Sequence, residues 1–183
     1  MHRLDASRCA DFLRLHCDAN GLGWCRCVAW WVPAWEGWGE RTAEQNLALR
    51  ESLFERGELD GYLAYEGREP VAWCQVGRRD RLEKLTRTLA LEPDPSVWAI
   101  TCFAVAPRAR GRGVASTLLA RVLADLARRG VRRVEAFPRR GEELDAADLW
   151  NGPAAMYAAA GFELAREGSP RAVLALELPF RAS

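Results

Sequence analysis

The sequence predicts one mixed α/β domain, and three observations lead to this prediction. A length of 183 residues suits a single domain, and a hydrophobic share of 49% is enough for a buried core. Helical and strand patterns alternate along the chain, and no internal repeat, low-complexity tract or long linker interrupts them. We therefore expect one domain that extends over residues 1–183.

The first half of the chain is predicted to contain two helices, a strand and a hairpin. In chain order these are a helix, a strand, a helix and the two arms of the hairpin, at residues 7–17, 25–31, 42–56, 62–65 and 71–76. A capping box of Thr42 and Gln45 opens the second helix, and Gly57 closes it. The turn at Gly67 joins the arms of the hairpin.

The second half continues with alternating helices and strands. In chain order the predictions are an Arg-rich helical piece, a strand, a long helix, a strand, a short helix and a final strand pair, at residues 79–89, 97–105, 115–129, 131–137, 154–160, 162–166 and 172–178. The first of these strands is almost wholly apolar, which is typical of a central strand that is buried on both faces. The long helix has one apolar side and ends at Gly130.

Charge and composition exclude several classes of function. A net charge of +1 creates no general attraction to nucleic acid or to an anionic membrane. No apolar run is long enough to span a bilayer, and the N-terminus lacks the apolar core of a secretory signal. A cytoplasmic protein with six reduced thiols is therefore expected.

The most informative segment is a glycine-rich turn between the apolar strand and the long helix. Gly111 and Gly113 let the backbone approach a bulky ligand, and the unpaired amides at the start of the helix favour a pyrophosphate. Three arginines add positive charge, at Arg108, Arg110 and Arg112. A dinucleotide fingerprint is incomplete, because Ser116 stands at its third glycine, and the Walker pattern is absent. A plain connecting turn is the remaining alternative.

Two motifs together resemble the GNAT (GCN5-related N-acetyltransferase) superfamily. Residues 108–113 match its Arg/Gln-x-x-Gly-x-Gly/Ala signature, and the segment from Asn151 through Tyr157 to Gly161-Phe162 is similar to its downstream motif. The resemblance covers about residues 60–178. It implies a mostly antiparallel mixed sheet that splays at its centre, and direct transfer of an acetyl group from acetyl-CoA to a primary amine.

The resemblance also assigns roles to individual residues. Backbone groups of Phe103, Ala104 and Val105 would pair with the pantetheine amides. Amides of the turn and of the first helical residues would hold the pyrophosphate, with Asn151 also near the cofactor; these are Arg108, Arg110, Gly111, Arg112, Gly113, Val114, Ala115 and Ser116. Tyr157 would protonate the departing thiolate.

A general base must take a proton from the attacking amine. Glu135 is the candidate, because it is a charged residue within a predicted strand near the expected site. A solvated edge carboxylate or an ion-pair partner for Arg133 is the alternative. Asp145 and Asp148 lie on a predicted loop, where they would attract a cationic amine.

Tryptophans and cysteines concentrate in the N-terminal third. Five tryptophans fall within fifteen residues and favour an aromatic wall for the acceptor, at Trp24, Trp30, Trp31, Trp35 and Trp38. Cys25 and Cys27 would face the same way on a strand. No metal site is expected there, because His16 and Cys17 offer no zinc-knuckle spacing.

Two other classes of function remain open at this stage. One is a catalytically silent acyl-CoA-binding sensor or partner module, and the other is a nucleic-acid-binding protein that uses the Arg-rich turn. The balanced charge disfavours the second. The expected partner is a small-molecule or peptide amine, with no nucleic acid and no membrane. The oligomeric state stays open, with a homodimer as one alternative.

Overall fold

The computed structural model describes residues 1–141, 144, 148–168 and 170–179, with the side chain of residue 148 left out. Its seven strands are β1 (His2–Arg3), β2 (Asp60–Glu66), β3 (Glu69–Arg78), β4 (Val97–Val105), β5 (Arg133–Ala136), β6 (Glu163–Arg166) and β7 (Val173–Glu177). Its α-helices are α1 (Cys9–Leu15), α2 (Ala43–Glu55), α3 (Glu83–Thr88), α4 (Val114–Arg128) and α5 (Ala154–Ala159). No helix in these ranges is long and apolar enough to cross a bilayer.

All seven strands form one open sheet in the order β1-β2-β3-β4-β5-β7-β6. Only β4 and β5 run parallel; every other neighbouring pair is antiparallel. The parallel pair is short, because β5 ends at Ala136, opposite Ile100, while β4 continues to Val105. Among the described residues, no strand therefore lies beside the outer half of β4 on its β5 side, and the predicted splay is confirmed.

The two faces of the sheet pack against different helices. On one face, α4 buries Leu118, Leu119 and Val122 in a cluster that includes Phe103. On the other face, Phe12 and Leu15 of α1 pack in a cluster that contains Cys102 and Ala104. Because side chains alternate along a strand, β4 contributes to both layers.

Most predicted elements are present, with shifts of one or two residues at their ends. The capping box of Thr42 and Gln45 forms, with hydrogen bonds of 2.9 Å and 3.2 Å. The helical piece at 79–89 is interrupted at Leu82, where the backbone leaves the helical region, so that only its second part is α3. The two-residue strand β1 was not predicted, because so short a strand has no pattern of its own.

The strand predicted at residues 25–31 was wrong. This segment is a chain of turns in which Arg26 and Cys27 have left-handed backbone torsions, with φ of 49° and 56°. Burial does not alternate, because Val28, Ala29, Trp30 and other consecutive residues are all buried. A run of apolar residues predicts burial without specifying whether the buried segment is extended.

Candidate active site

A cleft of about 1080 Å³ opens where β4 and β5 separate. One half is lined by the outer part of β4, the turn that follows it and the start of α4. The other half is lined by the C-terminal end of α1, the turns at residues 24–30, the Trp35 and Trp38 loop, and residues 149–156. We refer to these as the cofactor half and the acceptor half.

The unpaired edge of β4 presents backbone hydrogen-bonding groups to the cleft. The Asn151 side-chain amide donates to the Thr101 carbonyl at 2.7 Å, and Arg110 Nε donates to the Val105 carbonyl at 3.0 Å. Peptide groups alternate between the two sides of an antiparallel strand. Phe103 lies between Thr101 and Val105. Its N–H and C=O therefore point to the same side of β4 as the carbonyls of those two residues, toward the cleft. The peptide groups of Ala104 point toward β3 instead.

The turn after β4 leaves the N-terminus of α4 uncapped. Gly111 and Gly113 have φ of 70° and 73°, a region that favours glycine, and a Cβ atom at either position would meet nothing within 4 Å. No side chain caps the helix at Gly113. The first amides of α4 are therefore free to bind an anion, and the three residues that carry them line the cleft: Val114, Ala115 and Ser116.

The three arginines of the turn have different positions. Arg110 lines the cleft, whereas Arg108 and Arg112 do not. Arg112 forms an exposed ion pair of 2.6 Å with Glu66 of the hairpin. Of the predicted positive cluster, Arg110 is thus the side chain that the structure places at the cleft.

Asn151 and Tyr157 lie behind the cleft wall rather than in it. Both side chains are fully buried, and the Tyr157 hydroxyl donates to the Asn151 backbone carbonyl. A Cβ atom at Gly152, which lines the cleft, would lie 2.9 Å from the Tyr157 hydroxyl. Burial raises the pKa of Tyr157 well above its ordinary value, so the phenol keeps its proton.

Glu135 of β5 has a buried carboxylate that forms ion pairs with two arginines. Its carboxylate accepts two bonds from Arg79, at 2.9 Å and 2.8 Å, and one from Arg133 at 3.1 Å. The side chain is buried and is not part of the cleft lining. The alternative considered from the sequence, an ion-pair partner for Arg133, describes this position, and we do not carry Glu135 forward as the base. Asp145 lies outside the described residues, as does the side chain of Asp148.

The acceptor half is an aromatic wall fixed by a lysine. Four of the five clustered tryptophans line the cleft, together with Trp150, and Trp31 does not. Lys84 Nζ lies 3.4 Å from the centre of the Trp35 ring and donates to the Ala29 carbonyl at 2.8 Å. This cation–π contact holds an otherwise exposed indole against the cleft. Burial lowers the pKa of Lys84 to about 8.

Thiols and an imidazole lie in the same half of the cleft. Cys25, Cys27, Cys102 and His16 all contribute to its lining. The Sγ atoms of Cys27 and Cys102 are 3.0 Å apart, and His16 Nε2 is 3.2 Å from Cys27 Sγ. All six cysteines are free thiols. Within the described ranges, no group of three or more His, Cys, Asp or Glu residues has a geometry that could hold a metal ion.

Fold and site together define the class of protein. An open strand edge that leads to an uncapped helix N-terminus binds an extended ligand with amides in its body and a phosphate at its end. Residues 24–162 match the acetyltransferase (GNAT) family, and the chain belongs to that family. It is therefore an acetyl-CoA-dependent N-acetyltransferase, as the two sequence motifs predicted.

Comparison with solved structures confirms the fold. A GNAT-family protein from Desulfovibrio desulfuricans superposes with a TM-score of 0.61 at 19% identity, covering 97% of this chain and 98% of that one. PaiA N-acetyltransferase from Thermoplasma acidophilum, in complex with coenzyme A, gives 0.56 at 10% identity, with coverages of 97% and 99%. The Salmonella typhimurium protein yncA, with its cofactor acetyl-CoA, gives 0.55 at 16%, with coverages of 100% and 95%. No curated protein matches the sequence.

Sequence reasoning missed four residues of the acceptor half. Cys102 was assigned only to a buried strand, and His16 was considered only as a metal ligand. Lys84, the single lysine of the chain, and Trp150 lie in segments without a motif that points to a site. The lysine stands out in the composition because it is the single one. No local sequence pattern, however, shows that these four residues belong to one half of a cleft.

Proposed function

We propose that this enzyme transfers an acetyl group from acetyl-CoA to a primary amine whose remaining part is bound by the tryptophans of the acceptor half. The observation that supports this most strongly is the combination, in one cleft, of the open β4 edge and the uncapped α4 N-terminus. These two features suit the amides and the pyrophosphate of coenzyme A. The aromatic wall opposite suits an acceptor with an apolar, aromatic or cationic body.

The cofactor would be held mainly by the backbone. Phe103 supplies an N–H and a C=O, and Val105 an N–H, for the pantetheine amides, as an added strand would; the Val105 carbonyl already accepts from Arg110. The amides from Gly111 to Ser116 face the pyrophosphate, and the Arg110 guanidinium adds the nearest positive charge. The Asn151 side-chain amide donates to the Thr101 carbonyl, so that the open edge of β4 ends at this residue. Beyond it, the acyl group would extend into the acceptor half.

Tyr157 is the proposed general acid. Its hydroxyl lies behind Gly152, a residue of the cleft lining that has no side chain to block a proton path. Burial keeps the phenol protonated at rest, so that its proton is present when the coenzyme A thiolate departs. The hydrogen bond to the Asn151 carbonyl orients the hydroxyl while the site is at rest.

The test is acetyl-CoA titration combined with an amine screen. We expect calorimetry to show saturable binding of acetyl-CoA, and we expect thiol release to accelerate with at least one class of aromatic or cationic primary amine. Binding without thiol release from any amine would support the acyl-CoA sensor instead. Absence of binding by folded protein would contradict the proposed function.

A further inference from the structure

The acceptor half contains a thiol–imidazole pair that the proposed function does not use. Cys27 Sγ and His16 Nε2 are 3.2 Å apart, and both side chains line the cleft. A thiol within hydrogen-bond reach of an imidazole, where the imidazole is oriented by a third group, is the usual arrangement of an activated cysteine nucleophile.

The third group is the backbone carbonyl of Phe12. His16 Nδ1 lies 3.0 Å from that oxygen, which can only accept a hydrogen bond, so Nδ1 carries a proton. In the neutral ring Nε2 then has a free lone pair and faces the Cys27 thiol. The Phe12 ring also stacks on the imidazole, with ring centres 3.8 Å apart, and so fixes its plane. His16 is therefore in the tautomer that a base for Cys27 requires.

The surroundings of Cys27 stabilise a thiolate. Burial disfavours the charge, but the hydrogen bond from Cys102, the nearby His16 and the Arg50 guanidinium outweigh it and lower the pKa of Cys27 well below its ordinary value. Arg50 is buried over the Phe12 ring at 3.6 Å, and the groups that favour its charge are cysteines. By contrast, burial and the charge at Cys27 raise the pKa of Cys25 to about 12.

The backbone at Cys27 is held in a conformation that side chains disfavour. Its φ of 56° follows a φ of 49° at Arg26, and consecutive left-handed residues without glycine are costly. Two contacts maintain the turn: Arg26 donates to the His16 carbonyl, and Gln75 Nε2 donates to the Cys27 carbonyl at 3.0 Å. Gln75 is itself held by Arg50 at 3.0 Å. These contacts hold the turn in the conformation in which the Cys27 side chain lines the cleft.

The position along β4 brings Cys27 close to the expected thioester. If the pantetheine amides pair with Val105 and then Phe103, the thioester follows at the level of Thr101 and Cys102. Cys102 projects from β4 into the acceptor half, and its Sγ is 3.0 Å from that of Cys27. The acetyl carbonyl would therefore emerge beside the Cys27 sulfur.

On these grounds we propose that Cys27 is a catalytic nucleophile and that acetyl transfer passes through an S-acetyl-Cys27 intermediate, a step that rests on the proposed function. The Cys27 thiolate attacks the acetyl carbonyl; a C–S bond to Cys27 forms and the C–S bond to coenzyme A breaks. His16 takes the Cys27 proton beforehand. The coenzyme A thiolate leaves with a proton from Tyr157, and the His16 imidazolium returns its proton to the Tyr157 phenolate, so that both groups are restored before the amine reacts. The amine then attacks acetyl-Cys27, the Cys27 thiolate departs, and the amine's surplus proton passes to His16.

This route departs from the direct attack that the family resemblance implies. Exchange of one thioester for another is nearly neutral in energy, so the first step has no large thermodynamic cost. The same stabilised thiolate is a good leaving group in the second step. His16 also takes the place of Glu135 as the group that accepts the proton of the amine.

The decisive experiment looks for the intermediate without any amine. The protein is incubated with acetyl-CoA and a phosphine reductant, because a thiol reductant would accept the acetyl group. Intact-mass spectrometry should show one added acetyl group, peptide mapping should place it on Cys27, and isotope-labelled coenzyme A should exchange into acetyl-CoA. Cys27→Ser and His16→Gln should lose this exchange by at least about a hundredfold.

Cys17→Ser is the matched control, because Cys17 directly follows His16 but is not part of the cleft lining. It should still acquire the acetyl group on Cys27. Iodoacetamide labelling of wild type provides a second measurement: because its pKa is lowered, Cys27 should lose less reactivity as the pH falls below 8 than an ordinary thiol, which loses about tenfold per pH unit.

The outcomes separate the inference from the proposed function. If amines are acetylated but no acetyl-enzyme or exchange is found, the nucleophile is refuted and the proposed function stands. Loss of amine acetylation in Cys27→Ser without any exchange in wild type would make Cys27 a base, and would also refute the inference. Failure of folded wild type to bind acetyl-CoA would overturn both. Circular dichroism and acetyl-CoA titration of each variant verify that it is folded.

Discussion

The cofactor half and the acceptor half of the cleft are built by different means. On the cofactor side, the proposed binding groups are backbone amides and carbonyls of β4 and α4, which follow one another within residues 101–116. On the acceptor side they are side chains, including His16, Cys27, Trp35 and Trp150, which are far apart in the sequence. A backbone site depends on a short local motif, whereas a side-chain site depends on the whole fold.

The difference predicts how each half responds to substitution. A backbone site tolerates most side-chain changes and is damaged mainly by residues that fill its space. A side-chain site loses function group by group. The following predictions, from the largest expected effect to the smallest, test whether the two halves behave in these different ways.

The largest effect is expected for Gly113→Trp. The indole would occupy the space in front of the α4 amides, and acetyl-CoA affinity should fall by at least about a hundredfold, which corresponds to about 2.7 kcal/mol. Calorimetric titration measures the change. The control is Gly130→Trp at the opposite end of α4, where φ is 81° and a Cβ atom also meets nothing within 4 Å. Equal affinity of the two variants would contradict the assignment of the pyrophosphate site.

Tyr157→Phe should lower kcat by about a hundredfold, the scale of general acid catalysis, with acetyl-CoA affinity unchanged. The ring and its packing against Phe103 and Phe162 remain, and only the hydroxyl is lost. Steady-state kinetics combined with calorimetry separates these quantities. Wild-type turnover in this variant would assign Tyr157 to packing and leave the thiolate to take its proton from water.

Trp35→Ala should weaken the acceptor half alone. Loss of one wall of the aromatic site is expected to raise the KM of the amine by about tenfold, as for other well-packed aromatic contacts, with acetyl-CoA affinity unchanged. Trp98→Ala serves as the control, because Trp98 packs against Arg129 outside the cleft. A parallel loss of acetyl-CoA affinity in Trp35→Ala would show that the two halves are not separate.

Glu135→Gln should have the smallest effect on activity and a clear effect on stability. Removing the carboxylate leaves Arg79 and Arg133 without their buried partner, and the free energy of unfolding should fall by about 3 kcal/mol. Urea denaturation measures this loss. We expect kcat of the folded variant to stay within about twofold of wild type, because Glu135 is not part of the cleft lining. A large fall in kcat at unchanged stability would restore Glu135 as the general base.

The fold class and the cofactor half could be predicted from the sequence by itself. Strand β4, the turn at Gly111 and Gly113 and helix α4 are contiguous, so their apolar run, glycines and periodicity reveal them directly. Backbone conformation is specified largely by neighbouring residues, and a site made of backbone groups can therefore be recognised from a short segment.

Only the tertiary structure decided how the side chains meet. Glu135 was predicted as catalytic from its place in a strand, and Tyr157 from the family resemblance. Whether either side chain faces the cleft or the core depends on packing between distant elements. The turn at Cys27 is maintained by Gln75 and Arg50, which are remote in sequence, so residues 25–31 alone could not reveal it. The contact of Cys27 with His16 and Cys102 likewise exists because α1, this turn and β4 pack together.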